Sequence, residues 1–187
     1  MRSFLSVAAV VALLAAAAPA LANAIDIGPA VGTTAPRLVA VDTAGKPRDL
    51  ASIAGPKGTV LVFFRSARWC PFCQKQLTDL KAATKPLAQR GDRLAAISYD
   101  TPAQLAEFAA KVGVDYTLLS DKGSAMIDVY GLRDPAYPAG NFAYGVPKPA
   151  IFVLDTGGVV RGKLAEEGYK TRPPVAVVLA AVDALNR

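Results

Sequence analysis

The sequence predicts an α/β fold, a central sheet with helices on both faces, and three observations carry that prediction. Thr59-Val-Leu-Val-Phe-Phe64 is a continuous β-branched and aromatic run, which marks a strand buried on both faces. Stretches of strand character then alternate with stretches of helical spacing along the rest of the chain. The last two strand-like runs are joined through a turn at Thr156-Gly157-Gly158, a hairpin signal.

Each element has its own local reason. Leu38-Val-Ala-Val41 followed by Asp42-Thr-Ala-Gly45 reads as a strand ending in a turn, an N-terminal strand or hairpin extension to the main sheet. After Thr59–Phe64, residues Gln74 to Gln89 place Leu77, Leu80 and Leu87 inward and Lys75, Lys81 and Lys85 outward at helical spacing. Arg93-Leu-Ala-Ala-Ile-Ser98 is the next strand. Thr101-Pro102 supplies an N-cap and a first-turn proline for a helix carrying Leu105, Phe108 and Val112. Tyr116-Thr-Leu-Leu119 is a short strand and Ser124 to Tyr130 a short helix. Ala150-Ile-Phe-Val-Leu154 and Val159-Val160 form the closing hairpin. Pro173-Pro174 opens a last helix whose inward stripe is Val175, Val178, Leu179, Val182 and Leu185. Between them, Arg133 to Pro147 is rich in Pro, Gly and aromatic residues and long for an ordinary connection, so it reads as a functional or ordered surface loop.

Composition narrows the chemistry. The 187 residues hold 21 Lys+Arg against 15 Asp+Glu, two cysteines and no histidine. Without His there is no Ser-His-Asp or Cys-His catalysis, no His-ligated metal and no ordinary switch near neutral pH. Two Cys are too few for a four-thiolate zinc site. The basic residues are scattered with little aromatic interleaving, so a nucleic-acid partner is not indicated.

The first 24 residues have a different character. Met1-Arg2 is a short positive start, Val7 to Ala18 is unbroken apolar sequence, Pro19 interrupts it, and small residues follow to Ala22 and Ala24. That pattern describes a secretory signal peptide cleaved after Ala22 or Ala24, leaving one domain from about residue 25 to 187. An uncleaved anchor or a buried helix are the alternatives, but a membrane span takes about 17–25 apolar residues and this run stops short of that. Export to the periplasm or outside the cell, with no stable membrane insertion after cleavage, is the expectation. In such a compartment disulfides persist.

Both cysteines lie in Trp69-Cys70-Pro71-Phe72-Cys73, directly after a buried strand and at the head of an amphipathic helix. Unpaired amide N–H groups and the positive end of the helix dipole favour a thiolate at Cys70. Pro71 falls where its missing N–H costs nothing. The expectation is a nucleophilic Cys70 at the surface, a more enclosed resolving Cys73, and a redox-active Cys70–Cys73 disulfide, with Arg65 and Arg68 stabilising the thiolate if they face it. A purely structural disulfide here closes a loop too small to add much stability. No other soft ligands remain for a metal, and a c-type haem attachment needs His where Gln74 stands. No cofactor or metal is implied.

From about residue 30 onward the chain resembles the redoxin branch of the thioredoxin-like superfamily, which contains alkyl hydroperoxide reductase and thiol-specific antioxidant proteins. The stretches that carry the resemblance are Val31-Gly-Thr-Thr-Ala-Pro36, Val60-Leu-Val-Phe-Phe64, Trp69-Cys-Pro-Phe-Cys73 and Pro149-Ala-Ile-Phe-Val-Leu-Asp155 with Gly157-Gly158. It implies a thioredoxin-like fold, a central mixed sheet flanked by helices, and thiol-disulfide chemistry. It also implies that Pro149 is the cis-proline facing the cysteines, with the backbone at Lys148 free to pair with a substrate chain. The other reading of Pro149 is a trans residue opening a strand. Trp69, Pro71 and Phe72 are then candidate substrate-binding residues, although Trp69 also suits plain packing. Tyr137, Phe142 and Tyr144 suit either a lid over Cys70 or a packed surface loop.

Departures from the family separate activities. Counting back from Cys70, Phe63 and Ala67 stand where peroxiredoxins carry Pro and Thr or Ser, and Pro149 stands where their thiolate-stabilising arginine lies. Peroxide cleavage needs thiolate, hydroxyl and guanidinium preorganised together. Disulfide exchange needs a low-pKa attacking thiolate, a resolving thiol and access. The sequence therefore favours a thiol-disulfide oxidoreductase acting on protein thiols or disulfides with a separate electron donor. A peroxiredoxin-like thiol peroxidase acting on a small hydroperoxide through Cys70, and a non-enzymatic binding module, are the alternatives. Phe64 replaces the buried acid that many thioredoxins place six residues before the first Cys, so the proton acceptor for Cys73 has no candidate in the sequence.

Overall fold

The structure, a computed structural model, describes residues 25–185; the expected signal peptide over residues 1–24 lies outside the described residues. Seven strands form one mixed sheet. They are β1 (Ala40–Asp42), β2 (Pro47–Arg48), β3 (Gly58–Phe63), β4 (Asp92–Ser98), β5 (Thr117–Ser120), β6 (Ala150–Asp155) and β7 (Val160–Ala165), in the order β2-β1-β5-β4-β3-β6-β7. β4 lies parallel to β3 and to β5, while β1, β6 and β7 pair antiparallel. The helices are α1 (Leu50–Ile53), α2 (Pro71–Asp79), α3 (Lys81–Arg90), α4 (Pro102–Val112), α5 (Ala125–Val129) and α6 (Val175–Leu185). This is the thioredoxin-like arrangement the sequence leads one to expect.

The period-two alternation of β3 divides the core. Val60, Val62 and Phe64 face α2, α3, α4 and α6, where Leu77, Leu87, Leu105 and Val178 pack on them. Leu61 and Phe63 face the other layer with Ile53, Ile127, Tyr130 and Phe152. All six residues of β3 are buried, which matches its continuous apolar sequence. Each of its large side chains contributes about 1.5–3 kcal/mol by leaving water.

Local chemistry explains the ends. Thr101 caps α4 by accepting the Gln104 N–H, and Gln104 accepts the Thr101 N–H in return, a reciprocal capping box. The long helix expected over 74–89 begins at Pro71 and breaks at Leu80 into α2 and α3. Pro86, inside α3, lacks the N–H that would reach back to Ala82, and its ring crowds that carbonyl. The hairpin turn is tied by the Asp155 carboxylate, which accepts the N–H of Gly157 and of Val159, each at 2.9 Å. In α6 the expected inward stripe holds for Val178 and Val182, while Leu185 at the helix end is exposed. Among the described residues no helix is long and apolar enough to cross a membrane.

Topology decides where a site can form. Residue 63 of β3 pairs with Ile97 of β4 and Ala150 of β6, and Ala150 pairs with Ala165 of β7. The segment after β3 (65–70), the end of β4 (99–100), the approach to β6 (146–149) and the segment after β7 (166–174) therefore converge at one edge of the sheet. In open α/β sheets the crevice beyond the carboxyl ends of the parallel strands is where ligands bind.

Candidate functional site

Cys70 is the N-cap of α2, with an extended backbone (φ −96°, ψ 103°), and Pro71 is its first helical residue. The Cys73 N–H donates to Cys70 Sγ at 3.3 Å, and the Cys70 carbonyl accepts from Cys73 and Gln74. The two cysteines form a disulfide with their Cα atoms 5.2 Å apart. In the reduced protein the same N–H would face a Cys70 thiolate, so the helix terminus favours charge there.

One expectation is corrected at this point. Cys70 was expected at the surface, yet it is 1% exposed and Cys73 is 0% exposed. Two loops pack on the aromatic residues that flank the pair. From the 133–147 loop, Phe142 stands edge-on to Trp69 at 5.2 Å between ring centroids. From the segment after β7, Tyr169 meets Phe72 at 5.9 Å in the same manner. Phe142 itself is 76% exposed. The Tyr144 ring lies under Arg133 instead.

Arg65 links the two segments. Its guanidinium lies 4.4 Å from the Tyr137 ring and 4.3 Å from the Tyr169 ring, with Trp69 at 5.5 Å. The side chain is buried, reaches Asp134 at 3.5 Å, and leaves Nε without a partner. Arg68 behaves differently from the expectation that paired it with Arg65. Its side chain is exposed, lining a groove of about 570 Å³ with Pro71, Gln74 and Lys75, and its charge favours the ionised Asp100 carboxylate. Arg68 stays on the outside of the turn whose backbone Asp100 and Ser66 hold.

A residue that the sequence reading missed reaches the sulfur instead. Arg172, on the segment between β7 and α6, places Nη2 3.6 Å from Cys73 Sγ; its Nη1 donates to the Thr171 carbonyl. Burial, and then the nearby Arg65 cation, lower its pKa to about 10, while Glu166 works in the opposite direction. Arg172 lies 99 residues from Cys73, beyond the reach of any spacing argument.

Asp100 is the second missed residue. Its carboxylate accepts from the Ser66 hydroxyl and the Ala67 N–H, each at 2.7 Å, and from the Ser98 hydroxyl at 2.9 Å. Ser66 in turn accepts the N–H groups of Arg68 and Trp69. One buried acid thus holds the whole turn from β3 to Cys70. Burial raises its pKa, the hydrogen bonds opposing that rise. The available signal was an acid placed just past the end of a buried parallel strand. Trp69 is fixed separately, its Nε1 donating to the Tyr99 hydroxyl at 2.9 Å.

The cis-proline expectation is also corrected. No cis peptide bond occurs among the described residues, so the Lys148–Pro149 bond is trans. The approach to β6 is extended rather than turned: Pro147 bridges Arg133, and the Lys148 N–H donates to the Leu132 carbonyl at 2.7 Å. The Lys148 N–H is therefore engaged within the protein and not free for a substrate chain.

Comparison with known proteins follows the same lines. The sequence profile of the AhpC/TSA family matches residues 31–163. The chain is similar to the chloroplastic peroxiredoxin Q of Sedum lineare, 30% identical over 144 residues that cover 77% of this chain and 73% of that protein. It is also similar to the thiol-disulfide oxidoreductase ResA of Bacillus thuringiensis, 26% identical over 141 residues covering 75% and 72%. Among solved structures, peroxidoxin BcpB from Mycobacterium tuberculosis matches with a TM-score of 0.70 at 25% identity, over 86% of this chain and 97% of that one.

Proposed function

The chain belongs to the AhpC/TSA family, a family of thiol oxidoreductases, and from that membership we propose that it exchanges disulfides through Cys70 and Cys73. The observation that carries this reading over a peroxidase is the commitment of the groups around Cys70. Peroxide cleavage is fast when a hydroxyl and a guanidinium are aimed at the attacking thiolate, and losing one such donor typically costs about 10²–10³ in rate. Ser66 is bound to Asp100 and to two backbone N–H groups. Arg65 stacks between Tyr137 and Tyr169, position 67 is a buried alanine, and Arg172 contacts Cys73 rather than Cys70.

The mechanism uses what is present. A substrate thiolate or disulfide meets Cys70, a mixed disulfide forms, and Cys73 is the leaving or resolving sulfur. Trp69, Pro71 and Phe72 supply the rim that a partner protein contacts. A peroxidase, in which Cys70 becomes a sulfenic acid and Cys73 condenses on it, is the second reading. It is supported by the likeness to peroxiredoxin Q. A non-catalytic module gives way to both, because the family chemistry and the cysteine pair coincide.

Stopped-flow oxidation of the reduced protein by hydrogen peroxide tests the choice. The expected result is a rate no faster than that of a free low-pKa thiol, alongside rapid exchange with a protein disulfide. Peroxide oxidation several orders of magnitude faster, without exchange, would sink the exchange reading. We further propose export, with the mature chain starting after Ala22 or Ala24; the N-terminal residue of the protein recovered from an expressing cell checks this, and an intact Met1-Arg2 start refutes it.

A further inference from the structure

Positive charge at the cysteine pair exceeds its local compensation. Arg172 is half-buried with Nη2 3.6 Å from Cys73 Sγ, Arg65 is fully buried behind it and acts on its charge, and among the described residues neither Nε has a partner. The groups facing them are few. Asp134 comes from the 133–147 loop and stands 3.5 Å from Arg65, longer than the roughly 2.7–2.9 Å of a strong charge-assisted bond. Glu166 comes from the start of the segment after β7 and acts on Arg172. Lys170 on that segment adds a further cation, over Tyr169. Arg68 and Asp100 offset each other on the other side of the turn. The disulfide beside Arg172 carries no charge at all.

We propose that Arg172, backed by Arg65, receives Cys73 as a thiolate leaving group, and that this unmatched charge makes the Cys70–Cys73 couple an electron acceptor, an oxidant of substrate dithiols. The inference rests on the exchange reading above and adds its direction.

The steps balance. A substrate thiolate attacks Cys70 Sγ; a new sulfur–sulfur bond forms, the Cys70–Cys73 bond breaks, and its electron pair leaves on Cys73 Sγ beside the Arg172 guanidinium. Leaving as a thiolate, Cys73 needs no proton donor, which answers the missing histidine and the missing acid near it; the two substrate thiols lose their protons to solvent before each attack. The second thiolate of the substrate then attacks the substrate sulfur of the mixed disulfide. The substrate disulfide forms, and Cys70 leaves as a thiolate facing the Cys73 N–H at the head of α2. The substrate has lost two electrons and the cysteine pair has gained them. Stabilising either thiolate stabilises the reduced protein, and a stabilised reduced form is what makes a couple oxidising.

The test is an equilibrium measurement on the full mature chain. Wild type, Arg172→Met and Arg172→Lys are equilibrated with mixtures of reduced and oxidised glutathione, and thiolate absorbance of the reduced proteins is followed against pH. Wild type is expected to be more oxidising than glutathione. Arg172→Met shifts the exchange equilibrium at least tenfold toward the disulfide, about 30 mV for a two-electron couple, and moves thiolate formation to higher pH. Arg172→Lys, which keeps the charge, recovers most of the shift. Should Arg172→Met fail to fold, Arg65→Met is expected to shift the equilibrium the same way by a smaller factor. A wild-type couple more reducing than glutathione overturns the direction, and an unchanged equilibrium in both Met variants overturns the role of the arginines. Neither outcome depends on turnover, so failure here is distinguishable from failure of the exchange reading, which the cysteine variants test.

Discussion

Replacing Cys70 with serine is expected to abolish disulfide exchange, while Cys73→Ser traps a mixed disulfide with the substrate. The asymmetry follows from position. Cys70 caps α2 and receives the Cys73 N–H, so it is the sulfur whose thiolate the helix terminus favours. A serine hydroxyl there neither forms a disulfide nor ionises near neutral pH, so exchange falls to the uncatalysed level. In Cys73→Ser the first bond still forms, but nothing within reach displaces the substrate. Non-reducing electrophoresis and intact-mass measurement then show a stable covalent adduct. Both substitutions remove one sulfur from a packed site and keep the helix start, so folding is retained. A Cys70→Ser protein that still exchanges disulfides would refute the mechanism.

Asp100→Ala is the substitution expected to cost the fold most heavily at the site. It leaves the Ser66 hydroxyl, the Ala67 N–H and the Ser98 hydroxyl without their acceptor inside the protein. Breaking such a buried network costs about 3 kcal/mol, which for a domain of this size lowers Tm by about 6–12 °C. Exchange activity falls with it, because the 65–69 turn that aims Cys70 is no longer held. Calorimetry and an exchange assay on the folded fraction read the two effects separately. An unchanged Tm would show that water replaces the carboxylate without loss.

The pH dependence of the same residue has a definite sign. Burial, the largest influence, raises the Asp100 pKa above the ordinary aspartate value of 3.8. A raised folded pKa means that the folded protein holds this proton more tightly than the unfolded chain does. Its contribution to stability is therefore fully present below pH 3.8 and is lost as the pH climbs through the folded pKa. Asp100→Asn removes that slope. The difference in Tm between wild type and Asp100→Asn, followed upward from pH 3.5, should move against the wild type; a difference that stays flat contradicts a raised pKa at this position.

Much of the architecture is legible locally. The run 59–64, the Thr101-Pro102 start and the Thr156-Gly157-Gly158 turn depend on residues within a few positions of one another, and each forms the element its own chemistry favours. The cysteine pair is legible for the same reason, since three residues of spacing at a helix start bring two sulfurs together whatever else the chain does. Other elements depend on context that no short window contains. The break at Leu80 has no signal in the spacing, because the apolar pattern continues through it. The trans Lys148–Pro149 bond follows from an extended approach to β6 that pairs with residues 132–133, which a family resemblance over the strand itself does not specify.

The amino-acid sequence alone settled the α/β class, the place of the two cysteines at the head of α2, and the absence of any histidine to serve them. Only the tertiary structure decided what surrounds those sulfurs. Four chain segments meet at one edge of the sheet because the strand pairing aligns their ends. That meeting buries Cys70, sets Phe142 against Trp69 and Tyr169 against Phe72, hangs the 65–69 turn on Asp100, and carries Arg172 across 99 residues to Cys73. Electrostatic environment is a property of distance in space, and the chain's order along the backbone does not encode it until the sheet has formed.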